Sequence, residues 1–190
     1  NRLEAMKELQ SIKNINVKVF IHSLAFGTLK PMIDKNLTNQ LKQKQIEMTT
    51  DVMSHSLIYW TQDLFNNKLL NENSQIISMT SAGGNKQWKN YGAISLAKSS
   101  LESATRQLAL ELAPFKIACN AIEAGVTITA ALEKIPGFQS MIDRTLKLNP
   151  HKRLTLPIDI ANAVVMLCLH NTSWITGNTI KVDGGETLTN

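Results

Sequence analysis

The chain is poor in several features that would declare its chemistry early. Aromatic residues make up only 5% of its 190 residues, and no run of lysine or arginine interleaves with them. The stacking and charge of a nucleic-acid surface are therefore missing. Cysteine occurs twice, at Cys119 and Cys168, each inside an apolar stretch. Such positions predict two buried thiols in a reducing compartment. The four histidines are scattered, and no Cys/His cluster has ligand spacing, so no metal site is expected. The longest apolar run, "AVVMLCL" from Ala163 to Leu169, is far too short to cross a bilayer. Nothing at the start reads as a secretory leader. A cytoplasmic protein with no membrane or nucleic-acid partner is expected.

Glycine is also sparse where a dinucleotide fold would need it. The nine glycines lie at 27, 83, 84, 92, 125, 137, 177, 184 and 185, and none forms a phosphate loop. Such folds use glycines after the first strand so that the backbone can approach a pyrophosphate at a helix N-terminus.

What the chain does contain is a soluble, globular composition: 43% hydrophobic and 18% charged, at a length that suits one domain. Its net charge of +5 suits an acidic partner, such as a phosphorylated ligand or an acidic carrier protein.

Periodicity predicts a helix over 2–13, with Leu3, Met6, Leu9 and Ile12 at helical spacing. It predicts a long helix over 38–68 with a break near Thr49 and Thr50. Further helices are expected over 91–113, around 129–147 with an interruption at Pro136–Gly137, and over 157–170. Strands are expected at 17–23, 74–80, 116–123 and 178–183. Strands alternating with helices argue for an α/β fold with a parallel sheet covered on both faces.

Tyr91 and Lys98 stand seven residues apart in "NYGAISLAKSS", about two helical turns, so that both emerge on one face. A free tyrosine is a poor proton donor at neutral pH, and a nearby ammonium would lower its pKa. Such a tyrosine could donate a proton or stabilise an oxygen that gains charge.

With its flanking text, this pair resembles the short-chain dehydrogenase/reductase family, specifically the divergent enoyl-acyl carrier protein reductases, whose catalytic pair is spaced Tyr-x6-Lys. The commoner Tyr-x3-Lys spacing would put a lysine at Ser95. "FIHSLAF" (20–26), "IISMTS" (76–81), "CNAIEAGVTIT" (119–129) and the stretch from Lys152 to Gly185 resemble family segments in the same order.

The resemblance implies a Rossmann-like doubly wound parallel sheet, in which residues 1–190 form a single domain, the C-terminal two-thirds of the fold. A start at Asn1 and the missing glycine loop imply that the first βαβαβ unit is absent from this chain. The edge strand at 17–23 would then be unprotected.

By resemblance, Tyr91, Lys98 and Ser81 are catalytic. Ser23, Ala25, Lys98, Gly125, Thr127 and Thr129 would bind NADH or NADPH. Ile94, Ile135, Phe138 and Met141 would line an acyl pocket. The implied activity is NAD(P)H-dependent reduction of an enoyl thioester carried on acyl carrier protein or coenzyme A, in a homodimer or homotetramer. Ser81 stands where many enoyl reductases carry a second tyrosine, which keeps a 3-ketoacyl-type carbonyl reductase open. The missing phosphate loop keeps a non-catalytic family member open.

Overall fold

Short runs of β-branched and other apolar residues form the strands of this chain, whose computed structural model describes residues 2–169 and 172–188. They are β1 (Val19–His22), β2 (Gln75–Ser81), β3 (Ala118–Ala124) and β4 (Thr179–Val182). All pair in parallel, in the order β1-β2-β3-β4. The central strands β2 and β3 are buried along nearly their whole length, as strands covered on both faces must be. β1 and β4 are the outer strands among the described residues and are only partly buried.

The helices are α1 (Arg2–Ser11), α2 (Gln43–Thr50), α3 (Ser56–Asn66), α4 (Gly92–Leu112), α5 (Phe138–Leu148) and α6 (Pro157–Cys168). Alternate strand residues face opposite ways and set the two cores. Ile76 and Cys119 pack with Met6, Leu57, Leu64, Leu101 and Leu108 under α1, α3 and α4. Ile77 and Ile122 pack with Leu167 under α6. The fold is therefore α/β and Rossmann-like, with helices on both faces of a parallel sheet.

Several boundaries differ from the sequence reading, each for a local reason. The 38–68 helix runs only from Gln43 to Asn66, and it does not break. A π-helical turn, Asp51–His55, joins α2 to α3 without an interruption. α2 starts where the Gln45 side chain accepts the Lys42 backbone N–H at 3.0 Å.

The segment before α5 is not helical. Gly137 adopts a left-handed φ of 81° and starts the helix at Phe138, so Pro136 and Gly137 form its entry rather than an interruption. In α1 only Met6 is buried, while Leu3 is exposed, as is Ile12 just past the helix end; the expected apolar stripe is narrower than its spacing suggested. Cys119 is buried, and its burial pushes the thiol up to about 12. Cys168 is only half-buried, a correction to the expectation of two buried thiols. Residue 170, the expected end of the last helix, lies outside the described residues.

No helix among the described residues is long and apolar enough to cross a membrane.

Candidate active site

The site is built at the C-terminal ends of the strands, the end at which open parallel sheets bind ligands. Helix α4 carries Ala93, Ile94, Ala97, Leu101, Leu108, Ala109 and Leu112 on its buried face. The same face carries three buried polar residues, Lys98, Glu102 and Thr105. These meet polar residues of β2. Thr105 shares a 2.9 Å hydroxyl–hydroxyl bond with Ser78, and the Thr80 hydroxyl donates to Glu102 Oε1 at 2.6 Å. A helix polar on its buried face is anchored here by pairing those groups, because each would be costly alone.

Tyr91 is not inside the helix but just before it. Asn90 takes a left-handed φ of 64°, and Tyr91 then occupies the N-cap position, accepting the first helical bond from Ser95 N–H at 2.9 Å. The tyrosine ring lies over the loop Ala82–Gly84. A Cβ at Gly83 would run into the Tyr91 ring, and one at Gly84 would come within 2.6 Å of Glu102 Oε1. Ser99 Oγ donates to the Gly84 carbonyl at 2.7 Å. The two glycines thus let the loop press against Tyr91 on one side and α4 on the other.

Gly83→Ala should therefore displace the Tyr91 ring. A displacement of about 1 Å costs roughly 10²-fold in rate, and we expect that loss in kcat of the full-length protein with only a small shift in Tm. Unchanged kcat would show that the ring position does not matter.

Burial raises the pKa of Tyr91, opposed by the neighbouring Ser81 hydroxyl. This corrects the expectation that Lys98 lowers it. The Lys98 ammonium instead donates to the Met79 carbonyl at 2.6 Å. Burial lowers Lys98 to about 8, with Glu102 pulling the other way. Ser81 Oγ is buried and closes no hydrogen bond of ordinary geometry, although it lies near enough to Tyr91 to favour the phenolate.

A cavity of about 700 Å³ opens between these groups and α5. Tyr91, Lys98 and Ser81 line it, as do Ser23, Ala25, Gly125, Thr127, Thr129, Ile94, Ile135 and Met141. Phe138 does not: it begins α5, half-buried, outside the lining residues. Ile135 precedes the helix, so the three residues 135, 138 and 141 do not share one helical face.

The cavity lining includes polar groups for a phosphorylated, hydroxyl-rich ligand, the Lys98 ammonium and the hydroxyls of Ser23, Thr127 and Thr129. It also includes the apolar side chains of Met53, Ile94, Leu132, Ile135 and Met141. This donor set, with the buried unpartnered Ser81 hydroxyl, fits the nicotinamide half of a dinucleotide. Among the described residues no cluster of His, Cys, Asp or Glu is arranged to hold a metal ion.

Sequence reading missed Glu123, Thr80, Lys86 and Arg144, which also line the cavity. Glu123 carried a signal: it is the one charged residue inside the otherwise buried strand "ACNAIEA".

A parallel sheet covered on both faces, with Tyr91, Ser81 and Lys98 lining one cavity at the C-terminal ends of its strands, defines an open α/β protein with its ligand site at the usual edge. Comparison narrows this. The family model described as enoyl-(acyl carrier protein) reductase matches residues 3–187, and the chain belongs to that family. The chain is 31% identical over 170 residues to the NADH-dependent enoyl-acyl-carrier-protein reductase of Haemophilus influenzae. That match covers 90% of this chain but 64% of the relative, so the chain spans less than two-thirds of the relative's length. The crystal structure of the corresponding NADH enzyme of Aquifex aeolicus superimposes with a TM-score of 0.88 at 27% identity, over 99% of this chain and 72% of that one. The Bacillus cereus enoyl-acyl carrier protein reductase, solved with NADP+ and an indole naphthyridinone, gives 0.87 at 25% identity, over 100% of this chain and 73% of that one.

Proposed function

We propose that the full-length protein reduces the 2,3 double bond of an enoyl thioester with NADH or NADPH. The observation that carries this reading is the shared cavity, lined both by Tyr91, Ser81 and Lys98 and by the apolar side chains of Met53, Ile94, Leu132, Ile135 and Met141. Ser23, Ala25, Lys98, Gly125, Thr127 and Thr129 would hold the cofactor, which supplies a hydride when bound.

The chain's own residues do the rest. Tyr91, kept neutral by burial, donates its O–H to the thioester oxygen as charge develops there, and so stabilises the enolate. Ser81 Oγ, having no other partner, holds the same oxygen or the Tyr91 hydroxyl in line. Ile94, Ile135 and Met141 exclude water and orient the acyl chain.

The test is a spectrophotometric assay of the full-length protein with NADH and NADPH against crotonyl and longer 2-enoyl thioesters of coenzyme A and acyl carrier protein. Cofactor consumption in step with saturation of the double bond is expected. The buried, unpartnered Ser81 hydroxyl favours one other reading, a 3-ketoacyl-type carbonyl reductase. Turnover of acetoacetyl thioesters without enoyl turnover would select that reading.

Met141→Ala should raise KM for long-chain thioesters about tenfold, the scale on which apolar pockets discriminate chain length, and change KM for crotonyl thioester far less. Equal effects on both would return Met141 to a packing role.

The same reading includes self-association into a homodimer or homotetramer through α2, α3 and α4. Leu96 and Leu110 stand exposed on α4 in support of it. A monomer in light scattering of the full-length protein at micromolar concentration would contradict it. The free thiols Cys119 and Cys168 suit a cytoplasmic setting.

A further inference from the structure

The turn after β4 bonds to both sides of the cavity, and the chemistry above does not use it. Gly184 and Gly185 take left-handed φ values of 60° and 81°, which fold the chain back on itself. Asp183, 5% exposed, fixes this turn. Its carboxylate accepts from Gly185 N–H at 2.9 Å, from Thr187 N–H at 3.0 Å and from the Thr187 hydroxyl at 2.7 Å. Glu186 N–H donates to the Asp183 carbonyl at 3.1 Å, so the Glu186 side chain starts from a fixed backbone.

The two oxygens of Glu186 bond to two different elements. Oε2 accepts from Val126 N–H at 3.0 Å, in the loop after β3 that carries Gly125, Thr127 and Thr129. Oε1 accepts from the Thr145 hydroxyl of α5 at 3.3 Å. Thr145 lies one helical turn beyond Met141, and both line the cavity, as Glu186 does.

Apolar packing does little to hold α5, because Thr145 is its one buried residue. Polar links do more. Thr145 bonds to Glu186, and Asn149, at the end of the helix, donates to the Asp183 carbonyl at 2.9 Å. The loop is pressed against the same carboxylate: a Cβ at Gly125 would stand 3.0 Å from Glu186 Oε2 and 2.4 Å from Thr155 Oγ1. Thr155 also donates its N–H to the Val126 carbonyl at 3.1 Å.

We propose that Glu186 is a positioning residue for substrate selection: by holding Val126 and Thr145 at once, it sets the distance between the loop beside the cofactor and the helix that carries Met141, and so the fit of long acyl chains. This rests on the enoyl-reductase reading. Glu186 touches no reacting atom. Its chemistry suits the task, since both partners are donors and a carboxylate offers each of them an acceptor oxygen. Alanine would break both bonds. Glutamine could keep both, with its oxygen accepting from Val126 N–H and its NH₂ donating to the Thr145 hydroxyl oxygen. Thr145→Val breaks the α5 bond alone and keeps the shape of the side chain.

The test uses Glu186→Ala, Thr145→Val, their double variant and Glu186→Gln in the full-length protein, assayed with crotonyl and 2-dodecenoyl thioesters. Glu186→Ala and Thr145→Val should each raise KM for the dodecenoyl thioester about tenfold and leave kcat and the crotonyl KM within about twofold. The double variant should be no worse than Glu186→Ala, because both changes cut one link. Glu186→Gln should behave as wild type. Hydrogen exchange of α5, residues 138–148, should be faster in the first three variants and unchanged in Glu186→Gln. A merely structural Glu186 would lower Tm and change KM equally for both chain lengths. That equality, additive effects in the double variant, or a Glu186→Gln protein as impaired as Glu186→Ala overturns the proposal. If Glu186→Ala does not fold, Thr145→Val decides by the same KM ratio and exchange. A wild-type protein inactive on every enoyl thioester refutes the enzymatic reading instead. Exchange then judges the link alone, and wild-type exchange of α5 in Thr145→Val refutes it.

Discussion

Tyr91→Phe in the full-length protein is expected to lower kcat for enoyl-thioester reduction by about 10²–10⁴-fold, the range a positioned proton donor supplies. KM should stay within a few-fold, because the ring that packs over Gly83 and beside Ile94 is retained. The variant deletes one oxygen atom and nothing else. The Tyr91 hydroxyl is kept neutral by burial and is able to donate at neutral pH. Ser81→Ala should cost less than Tyr91→Phe if Ser81 only assists, and at least as much if the protein is a carbonyl reductase. The comparison of the two variants therefore also separates the two substrate classes. Near-normal turnover by Tyr91→Phe in an assay with saturating cofactor would remove Tyr91 from the chemistry.

The candidate pair, Tyr91 and Lys98, was legible because a helix has one period. Spacing placed Tyr91, at the N-cap, and Lys98, within α4, towards one cavity, and the residues around them carried the family resemblance. The sequence could not reveal where the lysine points. Lys98 reaches a backbone carbonyl, Met79, and carbonyls leave no trace in residue identity. The direction in which the Tyr91 pKa moves was lost for the same reason: the expected ammonium is engaged elsewhere, and burial, a tertiary property, decides.

Strands β2 and β3 were easy to place because short apolar stretches, Ile76–Ile77 and Ala121–Ile122, stand inside them in a sheet buried on both faces. The entry to α5 was not, since Ile135, Phe138 and Met141 have helical spacing but Gly137 turns left-handed between them. Glu123 was visible as an anomaly in its strand, but its neighbours Thr80 and Lys181 came only from register.

The second large effect is on stability. Lys98→Met in the full-length protein should abolish turnover and yet stabilise the fold at neutral pH. In the folded chain Lys98 titrates near 8, against 10.5 when solvated. Between those values the unfolded chain holds a proton that the folded chain has released. Stability of the wild type therefore rises as pH climbs through that window, and below it the full cost of burying the ammonium is present. Each tenfold loss of proton affinity is worth about 1.4 kcal/mol, so the cost is about 3 kcal/mol. Methionine removes it but deprives the Met79 carbonyl of its donor, a loss of about 1 kcal/mol. A net gain of about 1–2 kcal/mol near pH 7 remains. The difference between wild type and variant should shrink, and then reverse, as pH rises past 8 towards 10.5. Urea unfolding of both proteins across this range measures it. A difference that stays constant with pH would mean that Lys98 keeps its ordinary pKa and that its burial costs the fold nothing.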